Sequence, residues 1–207
     1  MSSHHFVKED QEPALLVMDF HPETDLDILE QLLEWSPRVL AFPAHAEMLL
    51  DAGYKVDVIL SSKKDLETAR VLQEQQRHIT ITELDSDRYG LYCLSILFVK
   101  ALNILNAPLG ELETAFLAED TLHSYEVAFY WSQAKATLSG GMFKKWLPEG
   151  HRLELLTTVT ETTHHNLSPV DQPPGGLFRS SQHFCVVKDG IVRISTGSKR
   201  LLVAEKA

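Results

Sequence analysis

Apolar runs and periods divide this chain into two regions of different texture. Residues 14–20, Ala-Leu-Leu-Val-Met-Asp-Phe, form an apolar run of strand length, which predicts a strand covered on both faces. Between Asp25 and Trp35 the residues Leu26, Ile28, Leu29, Leu32 and Leu33 repeat with a helical period, and Pro37 lies just beyond the end. The pattern then predicts a short strand at 39–42, a helix over 44–52 that stops at Gly53, and a buried strand at 56–60. A helix over 65–76 with Asp65 at its N-cap follows, then an alternating strand at 78–82. A helix over 89–105, a strand at 113–117 and a helix over 122–134 continue the alternation. Strands interleaved with helices predict an α/β fold with a doubly wound, mainly parallel sheet.

After about residue 136 no helical period occurs. Gly140-Gly141 predicts a hairpin, residues 151–165 are rich in β-branched side chains, and 172–176 is a loop by composition. The remainder predicts strands joined by turns at Lys188-Asp189-Gly190 and Thr196-Gly197-Ser198. The expected organisation is an α/β domain over 1–136 followed by a small all-β domain over 137–207. A unit that small needs support from the first domain or from a second subunit.

Composition narrows the function classes. A chain of 207 residues, 44% hydrophobic and 23% charged, is an ordinary globule with a core. Its net charge of −10 argues against nucleic acid or an anionic membrane as main partner, although one pocket can differ in sign from the whole. The cysteines, Cys93 and Cys185, are too few for a disulfide framework, and no Cys-x-x-Cys pair points to zinc. No apolar run spans a bilayer and the first residues lack the apolar core of a signal peptide, so the expected compartment is the cytoplasm.

In open α/β sheets ligands bind beyond the carboxyl ends of the strands. The candidate loops there are Ser61-Ser62-Lys63-Lys64-Asp65 and the acidic run Glu83-Leu84-Asp85-Ser86-Asp87. Asp85 or Asp87 suits a magnesium-linked phosphate site, and equally an ordinary helix cap. Lys63 and Lys64 suit phosphate contact or plain solvation. His123, at a predicted helix start, is a candidate acid or a hydrogen-bonded structural residue. Ser181 and Gln182 precede a predicted strand and suit ligand contact or ordinary loop chemistry. His164 and His165 lie on a predicted strand, so their rings point to opposite faces and cannot share one metal. Trp131 and Trp146 are expected in the core or an interface. No metal-ligand set and no glycine-rich nucleotide fingerprint is legible.

The stretch from Val39 to Asp65 resembles the nucleotide-handling half of thiamin pyrophosphokinase, a family that moves pyrophosphate from ATP to thiamin. Ala41, Ala46, Leu49, Leu50, Ala52, Gly53, Asp57, Ile59 and Leu60 fall in register with its framework. At the family's polar positions Pro43 stands for an Asp, Ala44 and His45 for two glycines, and Glu47 for an Asn. Ser62 and Lys64 occupy the places of two aspartates. In the third motif Asp87 can stand for the first Asp, with Tyr89 and Gly90 at the Thr and second Asp. In the fourth only His123 persists, with Asp120 at the Arg position and Leu122 at an Asp position. In the thiamin-contacting segment Ser181 and Phe184 match, while Gln182 and His183 replace Asn and Glu.

The resemblance implies an α/β domain, a β-sandwich and a homodimer with its site between subunits. It implies a small-molecule partner, thiamin or nucleotide-like, with ATP and magnesium as cofactors only where the family reaction is retained. The substitutions favour a member whose catalysis is lost or altered. The alternatives are an active enzyme drawing acids from Glu47, Asp65 and Asp85, and a non-catalytic dimeric interaction protein.

Overall fold

The structure, a computed structural model, describes residues 13–34, 37–84, 101–117, 126–157, 162–171, 176–178, 181–196 and 200–206. Strands β1 (Ala14–Val17), β2 (Val39–Ala41), β3 (Val58–Ser61) and β4 (Thr80–Glu83) pair in parallel in that order. On the other side of β1 lie β5 (Ala101–Leu105) and β6 (Glu126–Trp131), also parallel. The interleaved helices among the described residues are α1 (Pro22–Leu33), α2 (Pro43–Asp51), α3 (Leu66–Gln75) and α4 (Leu109–Leu117).

Period-2 alternation divides the core into two layers. Leu15, Val17, Val39 and Ile59 meet Leu29 and Leu32 of α1, Leu49 of α2 and Leu72 of α3. Leu16, Leu40, Leu60, Leu102 and Ile104 face the other side, where Leu112 of α4 packs. Helices therefore cover both faces. Pro43 opens α2 at its first turn, where a missing N–H leaves no hydrogen bond broken. Gly53 closes the helix at φ +83, with its N–H bonded to the Leu50 carbonyl and that of Tyr54 to Leu49.

Three expected elements are corrected. Residues 101–105, expected in a helix, form the strand between β1 and β6 because Leu102, Ile104 and Leu105 enter the buried centre of the sheet. The expected strand at 113–117 lies within α4, whose first turn closes through the N–H groups of Glu111 and Leu112 on the Pro108 carbonyl. The helix expected over 122–134 is replaced at 126–131 by β6. Val127 and Phe129 are buried on one face there, and the Trp131 indole donates to the Ala107 carbonyl at 2.9 Å. Aromatic and β-branched side chains suit that pleated surface.

The sheet then continues antiparallel. β7 (Ala134–Ser139) pairs with β6, and β14 (Leu201–Lys206), β9 (Arg152–Thr157), β12 (Gln182–Val186) and β11 (Leu167–Val170) extend it to 11 strands among the described residues. The boundary expected at 136/137 falls inside β7. A second sheet holds β10 (Thr163–His165), β13 (Gly190–Ser195) and β8 (Met142–Leu147). Gly140-Gly141 does not make the expected hairpin: β7 belongs to the large sheet and β8 to the small one. Gly141, at φ +99, carries the chain between them. The turn at 188–189 likewise joins strands of different sheets. Phe143, Leu147, Val192 and Ile194 of the small sheet share a core with Leu153, Leu155, Phe184 and Leu201 of the large one.

Candidate functional site

Chain order runs outward from β1 through β2, β3 and β4, then returns to place β5 on β1's other side. A sheet with such a switch leaves a crevice at its carboxyl ends. Here that place holds a cleft of about 340 Å³. Met18 reaches it from the end of β1, Phe42 to His45 and Glu47 from β2 and the start of α2, Asp65 and Thr68 from beyond β3, and Pro108 and Glu111 from beyond β5.

Its walls are built by local hydrogen bonding. Ser61 and Ser62 are fully buried; the Ser61 hydroxyl donates to the Ser62 carbonyl at 3.0 Å. The Ser62 hydroxyl donates to Asp65 Oδ2 at 2.8 Å and so holds that carboxylate at the cleft. Asp65 occupies the N-cap of α3, as expected, but its side chain makes no cap hydrogen bond. A short 3₁₀ turn, Lys63–Asp65, leaves Lys63 and Lys64 exposed and outside the cleft lining.

At the end of β1, Asp19 lies between two histidines. Its Oδ2 is 3.1 Å from His21 Nε2 and its Oδ1 is 3.6 Å from His45 Nδ1, the latter too long for a hydrogen bond. Burial holds the His45 imidazole below its ordinary value of 6.5; Asp19 pulls upward and His21 pushes further down. His45 is therefore a neutral ring at the cleft wall near neutral pH. Asp25, buried at the start of α1, accepts from the His21 N–H at 2.8 Å, the Thr24 hydroxyl at 3.1 Å and Asn106 Nδ2 at 2.6 Å. These bonds tie the ends of β1 and β5 together beside the cleft.

Ser181 and Gln182 stand elsewhere. β12, which begins at Gln182, is six places from β1 in the sheet order, on the order of 30 Å at ordinary strand spacing. Gln182 is exposed. The Ser181 hydroxyl is committed to Glu154 Oε1 at 2.7 Å, with the Phe178 carbonyl at 3.1 Å and His183 Nε2 at 3.3 Å. Glu154, 4% exposed, also accepts the N–H groups of Leu177 at 2.8 Å and Phe178 at 2.6 Å. A small recess adjoins these groups, lined by Glu154, Leu177, His183 and Phe184.

Of the expected site residues, Asp65 and Glu47 meet in the cleft, and Ser62 supports Asp65. Ser61, Lys63, Lys64, Ser181 and Gln182 do not line it. Asp85, Asp87 and His123 lie outside the described residues. Asp19, His21, Asp25, Asn106 and Glu111 were missed by sequence reasoning. The available signal was position: Asp19 and His21 directly follow a strand's carboxyl end, but a strand expected to reach residue 20 absorbed Asp19. On their strand His164 and His165 diverge as expected. Trp131 is half-buried, whereas Trp146 is 61% exposed and not in the core. No helix among the described residues is long and apolar enough to cross a membrane.

No protein-family model and no curated protein matches this sequence. The fold nevertheless resembles solved thiamin pyrophosphokinases. The enzyme from Candida albicans superposes with a TM-score of 0.65 at 10% identity, over 96% of this chain and 90% of its own. The yeast enzyme gives 0.63 at 11% identity, over 96% and 87%. The Bacillus subtilis enzyme gives 0.62 at 10% identity, over 95% and 99%. At such identities the likeness is one of fold: the chain has a thiamin pyrophosphokinase-like α/β architecture.

Proposed function

We propose that this chain is a thiamin pyrophosphokinase-like protein in which pyrophosphate transfer is lost or altered while the strand-end cleft still takes a small molecule. One observation carries the reading. The cleft is lined by Glu47, Asp65, Glu111 and a neutral His45, with no Lys or Arg from the described residues. Phosphoryl chemistry stabilises negative charge with cations, metal ions or N–H donors. Lys63 and Lys64, the cations next to Asp65 in sequence, are exposed and do not line the cleft. Among the described residues no three His, Cys, Asp or Glu side chains converge to form a protein-built metal site, so magnesium there would rest on one or two carboxylates and on the phosphates of a substrate. An acidic cleft of this size favours a cationic organic molecule over a polyphosphate, and thiamin carries a permanent positive charge.

The substitutions at the family's motif positions agree with this reading. Pro43 is the first residue of α2, Ser62 is buried against Asp65, and Lys64 is exposed. None of the three supplies a carboxylate, and the Ser62 hydroxyl is turned to Asp65. The distance between the cleft and Ser181 favours a homodimer, because within one chain the two segments cannot share a small ligand. Two sheets with a common core over 137–207 read as a sandwich domain that supplies the second half of such a site.

A second reading, an active enzyme with displaced acids, draws support from the placement of Glu47 and Asp65 together in the cleft. Calorimetry with thiamin and with ATP, each with and without magnesium, separates the readings when paired with assays for thiamin pyrophosphate and AMP. The proposal expects thiamin binding without turnover. Chelator-sensitive production of both products would establish the second reading, and binding of neither compound would leave an interaction scaffold.

A further inference from the structure

The small sheet turns one face to the core and the other to solvent. Phe143 and Leu147 of β8 and Val192 and Ile194 of β13 point inward. Alternation therefore puts Met142, Lys144 and Trp146 outside, together with Ile191 and Arg193. Met142 is 64% and Trp146 61% exposed. In register, Trp146 lies opposite Ile191, while Lys144 lies opposite Arg193 and Arg193 opposite His165 of β10. Like charges directly across a ladder are destabilising. Neither Lys144 nor Arg193 has an acidic partner among the described residues. This row is a built-in request for an anion on a chain whose net charge is −10.

The same strand is an open edge. Among the described residues β8 pairs with β13 alone. The Thr196 N–H donates to the Gly141 carbonyl at 2.9 Å, which marks Gly141 and Thr196 as a hydrogen-bonded pair of the ladder. Alternation makes Phe143–Ile194 and Lys145–Val192 the next such pairs, so the N–H and C=O groups of Lys144 and Trp146 point away from β13. Beside that edge runs an open groove of about 770 Å³ lined in part by Met142, Lys144, Lys145 and Lys135. Among the described residues the one carboxylate lining it, Glu205, is engaged by Lys145 at 2.6 and 2.9 Å.

Unpaired backbone, exposed apolar side chains and an uncompensated cationic row coincide on one strand. We propose that the edge of β8 is a docking site for an extended acidic segment of a partner protein, added as a further strand. Such a segment places a carboxylate opposite Lys144, with apolar residues two positions to either side against Met142 and Trp146. Main-chain hydrogen bonds give affinity and the alternate side chains give selectivity, as in other strand additions. A nucleic acid fits less well, since the whole molecule repels a polyanion while a short acidic segment meets only the local field.

The test uses the full chain and a fluorescein-labelled Leu-Thr-Glu-Thr-Leu peptide in an anisotropy titration. Saturable binding is expected in the micromolar range. It should weaken by about tenfold or more in the Lys144→Glu/Arg193→Glu variant, and with a peptide carrying Lys in place of Glu. N-methylation of alternate peptide amides should weaken it in one register and spare it in the other. Both substituted residues are exposed, and an unchanged urea midpoint verifies the fold. No saturation up to about 1 mM peptide would overturn the proposal, as would equal affinity for the Glu and Lys peptides or for the two proteins. Sedimentation showing a dimer that the charge reversal dissociates would assign the edge to a second copy instead. Displacement of the peptide by single-stranded oligonucleotide at lower concentration would assign it to nucleic acid. The cleft's ligand enters none of these readouts.

Discussion

Asp25 Oδ2 lies 2.6 Å from Asn106 Nδ2, joining the first turn of α1 to the carboxyl end of β5 across 81 positions of sequence. Asn106 sits at φ +53, a left-handed conformation that Asn tolerates better than most residues. The same carboxylate takes the His21 N–H, so one buried group satisfies donors from two loops flanking the switch point. Asp25→Ala leaves those donors unpaired and should lower stability by about 2–4 kcal/mol, read from urea unfolding. In a double-mutant cycle with Asn106→Gly, which keeps the backbone angle accessible, the two losses should fall short of additive.

Protonating His45 should weaken the fold. Its folded pKa lies below the ordinary 6.5, so between the two values the unfolded chain binds more protons. The stability this residue supports is complete above 6.5 and declines as pH falls through 6.5 toward the folded value. His45→Gln removes the titration. Unfolding free energies of the two proteins should therefore converge toward the variant's favour on going from about pH 7.5 to about pH 5. An unchanged difference would remove burial as the dominant influence on this ring.

Glu154 organises the segment around Ser181. It accepts two backbone N–H groups and one hydroxyl, so Glu154→Gln sets an amide N–H₂ against one of those donors. The expected loss is about 2–3 kcal/mol, with faster proteolysis within 176–178. Ser181→Ala removes only the hydroxyl and should cost about 1 kcal/mol, leaving the backbone bonds in place.

Restoring aspartates at the two β3-loop positions should give unequal results. Lys64 is exposed, and Lys64→Asp should change stability by less than about 0.5 kcal/mol. Ser62 is fully buried and donates to Asp65, so Ser62→Asp buries a second carboxylate beside the first. A loss of about 3 kcal/mol or more is expected, partly relieved by Asp65→Asn. Thermal unfolding of the three variants measures this directly.

The Val39–Asp65 frame was legible because its signals are local. Pro43 and Gly53 delimit α2, apolar runs mark β2 and β3, and each signal acts within a few residues of itself. Residues 101–131 misled because a buried strand and a buried helix share the same apolar composition. Ala-Leu-Asn-Ile-Leu became a strand by pairing with β1 on one side and β6 on the other, a contact with no trace in its own spacing.

The sequence by itself determined the alternating α/β order up to residue 84, the end of α2 at Gly53, the strand-rich character beyond 136 and the resemblance in framework. Local sterics and side-chain periodicity suffice for these. Only the tertiary structure decided that Gly140-Gly141 crosses between sheets, that Ser62 turns inward to hold Asp65, and that Asp25 finds Asn106. It also set Lys144 against Arg193 with no acidic partner among the described residues. Each depends on pairing between distant segments, where the partner rather than the residue's own neighbours supplies the energy.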